Sequence, residues 1–306
     1  MHARRRSGMR RPARACVTAI AAAVLLAPAG PGRAQDALVS SLPAPERTAS
    51  MLRNPLESPF VRDQLLHPRV LQARADARYG LKQLYRARGM PYPAAEIFVR
   101  VFKRERVMEL WARAPHAQQF ALLKEYRICA LAGEIGPKRR QGDNQTPEGF
   151  YEIDAFNPGS QYLLSLHVNY PNPSDRTLGR VPLGGDIYIH GGCKTIGCIA
   201  IEDENIKELY WAAVEARGVG QMRIPVHIFP ARLDDAEMAR LASAYSARRD
   251  LVTFWNGLRP GYEYFERNRI PPVMRVDARG QYRIAGEARV LTGAGSTSAA
   301  TSRTQR

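Results

Sequence analysis

The stretch Asp186-Ile187-Tyr188-Ile189-His190-Gly191-Gly192-Cys193-Lys194-Thr195-Ile196-Gly197-Cys198-Ile199-Ala200-Ile201 decides how this chain is read. Its first five residues form a short strand that ends on a histidine. Two glycines then free the backbone to turn sharply. Cys198 opens a second apolar run eight residues after the histidine, and a loop that short can bring imidazole and thiol together. A free thiol, with a pKa of about 8.5, is only slightly ionised at neutral pH, and a neighbouring imidazolium raises the thiolate fraction. Cys198 is therefore the candidate nucleophile and His190 its base. Gly197 and Gly191 are candidates for letting backbone N–H groups approach a reacting carbonyl, as an oxyanion hole requires. Thr195 is a candidate for orienting a substrate amide or a loop carbonyl. The residues alone leave a second reading open, a buried thiol beside an unrelated histidine.

Outward from this stretch, the period-2 pattern continues on both sides. Strands are expected at Ile97 to Phe102, Arg106 to Trp111, within Gln119 to Leu131, at Phe150 to Ile153, Tyr162 to Val168 and Pro225 to Phe229. Tyr170 to Asp175 reads as a turn-forming loop. Asp203 is placed to cap a helix that Gly218 ends, with Ile206, Leu209, Tyr210, Ala213 and Val214 on its apolar face. Before the strands, Val61, Leu65, Leu66, Val70 and Leu71 recur at helical spacing. After Pro230, Met238, Leu241, Ala242 and Tyr245, then Leu251, Val252, Trp255 and Leu258, do the same. The expected class is α+β: a mainly antiparallel β domain over residues 95–230, with helical extensions at both ends. A linker and short helical preface occupy 35–94, a helical extension 231–290 and a disordered tail 291–306.

The chain has 306 residues and a formal charge of +16, but residues 1–34 hold seven arginines and no acid. Without them the balance falls to about +9, with 38 basic against 29 acidic residues. Basic residues Arg4 to Arg14, an apolar run from Val17 to Ala27 and Gly32-Arg33-Ala34 read as a cleavable secretory signal over 1–34. The run is short for a bilayer span, so no stable membrane span is expected after signal removal. The basic residues are scattered and the chain is expected to be exported, which argues against nucleic acid as a partner. Residual positive charge suits either an anionic cell envelope or plain solubility.

Of four cysteines, Cys16 leaves with the signal, and Cys129, Cys193 and Cys198 remain. Three is odd, so in an oxidising compartment at least one thiol is free or pairs between chains. Cys129, in an apolar strand, reads as a buried small hydrophobe. Cys193 reads as a loop-packing residue. A disulfide to Cys198, or a zinc site made with His190, Cys198 and His167, are lesser alternatives for it.

The quoted stretch resembles the active-site signature of the L,D-transpeptidases, the YkuD-type catalytic family. The likeness is closest to the YafK-like branch, whose pattern runs His-Gly-x-Cys-x-Ser/Thr-Ile-Gly-Cys-x-Ala. Thr146-Pro147-Glu148-Gly149 is similar to the family's Thr-Pro-x-Gly loop. Leu166 through Asp175, with Tyr170-Pro171-Asn172, is similar to that branch, as is Gly261-Tyr262-Glu263-Tyr264-Phe265 followed by Ile270-Pro271-Pro272. Ile196 and Ala200 stand where many members have His and Arg or Asn, and the His-to-Cys spacing is shorter than in most.

The resemblance implies an L,D-transpeptidase-type fold and cysteine acyl transfer on diaminopimelate-containing peptidoglycan stem peptides, in the periplasm or cell envelope. The thioester on Cys198 would be resolved by an amine, giving a cross-link or protein attachment. The alternative uses water at the same site, as an L,D-carboxypeptidase or as an amidase releasing a wall-attached lipoprotein. A non-catalytic wall-binding module is the alternative of another class. No cofactor or metal is expected. His167, Tyr170 and Arg176 are candidates for lining a substrate cleft, His227 reads as structural, and Lys138-Arg139-Arg140 reads as a solvated face able to steer carboxylates.

Overall fold

A computed structural model describes residues 54–285. The expected signal over 1–34 with Cys16, most of the expected linker, and the expected tail 291–306 lie outside the described residues.

Eight strands form one sheet: β1 (Glu96–Phe102), β2 (Val107–Arg113), β3 (Ala121–Arg127), β4 (Gly149–Asn157), β5 (Ser165–Val168), β6 (Ile187–His190), β7 (Ile199–Ala200) and β8 (Ile224–Phe229). Their order is β3-β2-β1-β8-β4-β5-β6-β7. Most neighbours are antiparallel, but β1 pairs with β8 and β6 with β7 in parallel. The sheet is thus mixed, and the fold is α+β as expected. The β6–β7 parallel pair matters most, because it sets the quoted stretch side by side in one direction.

The helices are α1 (Pro59–Gln64), α2 (Pro68–Ala87), α3 (Pro173–Leu178), α4 (Asp203–Gly218), α5 (Asp235–Ala244) and α6 (Arg249–Asn268), and strands β9 (Met274–Val276) and β10 (Tyr282–Ile284) form a hairpin. β1 shows how they are layered. Its residues Ile97, Val99 and Val101 enter the core cluster that also holds Leu81 and Tyr85 of α2 and Ile206, Leu209 and Trp211 of α4. Phe98 and Phe102 point to the other face, against Phe265, Trp255 and Leu258 of α6. Both faces are covered, so this strand is apolar without alternation. Arg100 is the exception. It is buried among Phe102, Trp111, Tyr262 and Phe265, where Glu109 at 2.7 Å and Glu266 at 2.6 Å neutralise it.

Three expectations are corrected. Residues 173–178 are a helix, not a loop: the Asn172 side chain accepts from the Asp175 N–H at 3.0 Å, Asp175 accepts from the Asn172 N–H at 3.1 Å, and Pro173 sits in the first turn. Helix α4 starts after Glu202 rather than on an Asp203 cap. The extension after Pro230 is not all helical, since β9 and β10 close it.

Candidate active site

In β6 and β7, Ile189 lies opposite Ile199 and His190 opposite Ala200. Ile187, Ile189, Ile199 and Ile201 enter the core, so alternation puts His190 and Ala200 on the other face. Cys198 stands just ahead of β7, and its sulfur lies along the backbone of β6. Its Sγ accepts from the Tyr188 N–H at 3.4 Å and donates to the Asp186 carbonyl at 3.5 Å. His190 ends β6 and Cys198 precedes β7, so their backbones are about 8 Å apart by strand geometry, and among the described residues no hydrogen bond joins their side chains.

The imidazole is fixed by its own neighbours. His190 Nδ1 lies 2.6 Å from the Gly191 carbonyl oxygen. A carbonyl only accepts, so the hydrogen sits on Nδ1 and Nε2 keeps its lone pair. The Tyr162 ring stacks on the imidazole at 4.4 Å, and His190 is only 2% exposed. Burial pushes its pKa below the ordinary histidine value, partly opposed by the Gly191 carbonyl.

Burial acts on the thiol in the opposite direction. Cys198 is a half-buried free cysteine, and desolvation raises its pKa although the Tyr188 N–H and Thr195 work against that. Both shifts run against the thiolate and imidazolium expected from the sequence and favour the neutral thiol and neutral imidazole.

The glycines and Thr195 serve the loop. Thr195 Oγ1 donates to the Cys198 carbonyl at 3.1 Å and accepts from the Gly197 N–H at 3.1 Å. Of the two roles foreseen for Thr195, it fills the loop-carbonyl one. Thr146 of the Thr-Pro-Glu-Gly loop reaches the same carbonyl at 3.4 Å. The Gly197 N–H is therefore already engaged, and the Gly191 N–H points to the Tyr162 and Leu164 carbonyls. Neither glycine presents a free donor. Gly191 is instead required for space, because a Cβ there would meet Asp203 Oδ1 at 2.5 Å and the Tyr162 carbonyl at 2.8 Å. The Asp203 carboxylate, freed from capping, accepts from the Gly192 N–H at 2.8 Å and fastens the loop to α4.

Cys193 and Cys129 form a disulfide across 64 residues. This corrects the reading of Cys129 as a buried apolar filler, and Cys193 has no thiolate to offer zinc or Cys198. The parity argument holds: the leftover thiol is Cys198. The bond joins the segment after β3 to the loop between base and nucleophile, beside the Ala130–Ala200 bridge.

The three cleft candidates separate. His167 stands opposite Tyr188, on the His190 face, with Nδ1 2.6 Å from Asp154 Oδ1 and its ring 5.1 Å from that of Tyr188. Tyr170 is in the core and its hydroxyl donates to the Leu183 carbonyl, so it braces a loop and does not line a cleft. Arg176 is exposed on α3. His227 is buried among Phe98, Phe150 and Phe229, which depresses its pKa to about 3. The Lys138 run is a solvated face only in part: Arg140 is exposed, but Lys138 is buried, and Asp143 binds its ammonium at 2.6 Å and the backbone N–H groups of Arg139 and Arg140.

Tyr162, Asp154 and the second task of Asp203 escaped sequence reasoning. For Asp203 a signal existed, the fixed spacing from Gly191-Gly192. Tyr162 and Asp154 had none, since their contacts join segments apart in the sequence.

Residues 98–228 match the family model described as YkuD, L,D-transpeptidase catalytic domain. The chain is 38% identical over 188 residues to the protein named "Putative L,D-transpeptidase YafK" of Escherichia coli K12, covering 61% of this chain and 72% of that one. Among solved structures, it is similar to the helical cell shape determining protein Pgp2 of Campylobacter jejuni at 20% identity, over 60% of this chain and 73% of that one, with a TM-score of 0.37. L,D-transpeptidase 1 of Mycobacterium tuberculosis matches at 13% identity, over 44% and 62%, with a TM-score of 0.26.

Proposed function

Because the chain belongs to the YkuD family of L,D-transpeptidases, we propose that it is an exported acyltransferase of the bacterial cell wall with Cys198 as nucleophile and His190 as base. The observation that carries this is the Nδ1–H bond from His190 to the Gly191 carbonyl. It leaves Nε2 as the proton acceptor on the strand beside the one free thiol among the described residues.

His190 Nε2 takes the thiol proton as Sγ attacks the carbonyl at the L-centre of diaminopimelate in a stem peptide. The C–N bond breaks, the imidazolium returns the proton to the departing amine, and a thioester remains on Cys198. An acceptor amine then attacks the thioester, loses its proton to Nε2 and restores the thiol. The backbone N–H of Cys198 is the donor we assign to the oxyanion, since those of Gly197 and Gly191 are engaged. Exposed Ile196, two residues before Cys198, gives the approach an apolar edge. His167 and Tyr188 form a wall on the same face. The partner is the diaminopimelate stem, with a wall-attached lipoprotein as a further substrate, and the place of action is the periplasm. Among the described residues, no helix is long and apolar enough to cross a membrane.

Incubation with defined muropeptides and mass spectrometry tests this. The expected result is a stem adduct on Cys198 and a cross-linked product, both lost in Cys198→Ala. Trimmed stems without cross-links would establish the hydrolytic use of the site. Products unchanged by Cys198→Ala would refute the assignment.

A further inference from the structure

A cavity of about 260 Å³ lies between α2, α4, residues 54–56 and the segment ahead of β1, with Arg74, Arg78, Lys82, Tyr92, Trp211 and Glu215 in its wall. An outer recess of about 360 Å³ shares the three cations and adds Leu71, Ala75 and Tyr79. Spacing of four residues sets Arg74, Arg78 and Lys82 in one row on α2, about 12 Å long. Like charges at that spacing repel one another.

The acid on their own helix does not relieve them. Asp76, the one acid of α2, accepts from Lys207 at 2.8 Å and from Gln72 at 2.6 Å. Among the described residues, no side-chain hydrogen bond or ion pair engages Arg74, Arg78 or Lys82. Arg74 lies over the Trp211 ring at 5.7 Å, and Lys82 over that of Tyr92 at 5.8 Å. Buried side-chain polar atoms without a partner are rare in native proteins. Four occur among the described residues, and two of them belong to this one cavity wall: Arg74 Nε, and Trp211 Nε1, which leans toward Glu215 and Tyr92 without a well-aligned hydrogen bond to either. Glu215, the remaining acid of the wall, accepts from the Tyr92 hydroxyl at 2.6 Å and feels the charges of Arg78 and Arg74, but burial raises its pKa to about 7, so it only partly offsets the row.

Three cations without a direct ion pair, over a cavity whose single carboxylate is partly protonated and whose Arg74 Nε is unmatched, leave room for a further acceptor. We infer that this cavity binds a small oxyanion, a phosphate- or carboxylate-bearing group, gripped by Arg74 and Arg78 with Lys82 as the third cation. Guanidinium groups suit it because they present paired donors to two oxygens at once. Leu71 and Tyr79, 47% and 74% exposed, offer apolar contact to the body of the ligand along the outer recess. Glu215 is twelve residues along α4 from Asp203, about 18 Å from the helix end that holds Gly192. The site is therefore separate from Cys198, and its test needs no acyl transfer.

The test is titration of the ¹⁵N-labelled full chain with inorganic phosphate and, separately, succinate, against sodium chloride at matched ionic strength. The indole N–H signal of Trp211, identified with Trp211→Phe, is followed. One oxyanion or both should shift it saturably, and the stronger responder tells phosphate from carboxylate. Arg74→Gln/Arg78→Gln should weaken the response at least tenfold and Lys82→Gln, an exposed substitution that spares the fold, about threefold. A shift reproduced by chloride, no saturable shift with either anion, or variants that titrate like the wild type would overturn the inference.

Discussion

The hydrogen bond from His190 Nδ1 to the carbonyl of Gly191, at 2.6 Å, joins two consecutive residues and so needs no third side chain to orient the base. The backbone does what a carboxylate does in many Cys–His sites, but without a negative charge to favour the imidazolium. His190→Ala and Cys198→Ala should each lower turnover of a defined muropeptide by about 10²–10⁴-fold or more. Circular dichroism should show both variants folded. Near wild-type turnover in either one would remove that residue from the mechanism.

The neutral resting pair has a pH signature. Burial holds the Cys198 thiol above, and His190 below, its ordinary value, so no thiolate–imidazolium pair forms near neutrality. The rate of Cys198 alkylation by iodoacetamide should climb steadily through pH 7–9, following the thiolate. A plateau between pH 6 and 7 would instead reveal a preformed ion pair. Muropeptide turnover should fall only when the pH drops below the usual histidine range, because neutral His190 is the active form. Tyr162→Ala, which admits water to the imidazole, should move that acid limb to higher pH.

Much of the fold was legible because β1, β6 and β8 carry local patterns that survive without context, and His190 and Cys198 flank a loop whose glycines announce a turn. What was not legible depends on contacts between distant segments. Cys129 and Cys193 are 64 residues apart, and their pairing rests on β3 ending beside β7. The burial that raises the thiol pKa was not legible either, because desolvation is a property of packing and no spacing encodes it. Helix α3 was readable after all: Asn172-Pro173-Ser174-Asp175 is a capping box with proline at the first helical position.

The Cys129–Cys193 bond restrains the loop that separates nucleophile from base. Closing 64 residues removes denatured-state entropy worth about 4 kcal/mol in the chain-entropy model. Cys129→Ser/Cys193→Ser should therefore lower unfolding free energy by about 2–4 kcal/mol in urea titrations. Turnover should fall while Cys198 remains alkylatable. Unaltered stability and turnover in the double variant would show that the adjoining Ala130–Ala200 bridge alone holds the loop.

Glu215 imposes a pH dependence on stability. Its carboxyl is raised to about 7 by burial, so the folded protein binds more protons than the unfolded chain between the ordinary glutamate range and pH 7. Its contribution is complete below the unfolded pKa and is lost as pH rises through about 7. Glu215→Gln keeps an acceptor for the Tyr92 hydroxyl and cannot ionise. It should raise stability at pH 8 by about 1–3 kcal/mol and change little at pH 5. Equal effects at both pH values would mean that the carboxyl ionises freely in the fold.

Asp203 is placed to position the base without touching substrate. Its Oδ1 accepts from the Gly192 N–H at 2.8 Å, and the same oxygen would lie 2.5 Å from a Cβ on Gly191. Carboxylate, Gly192 and Gly191 therefore pack as one unit, and the carbonyl that fixes the His190 tautomer belongs to it. The carboxylate also sits in the first turn of α4, where the positive helix end favours it. Asp203→Asn retains an acceptor oxygen, so it should keep kcat within about threefold and lose only a few tenths of a kcal/mol of helix-end stabilisation. Asp203→Ala removes the acceptor, frees the Gly191–Gly192 turn and should lower kcat about tenfold or more with KM nearly unchanged. Rescue by asparagine separates loop positioning from charge. If asparagine fails as badly as alanine, the negative charge itself, and not the hydrogen bond to Gly192, is what the site requires.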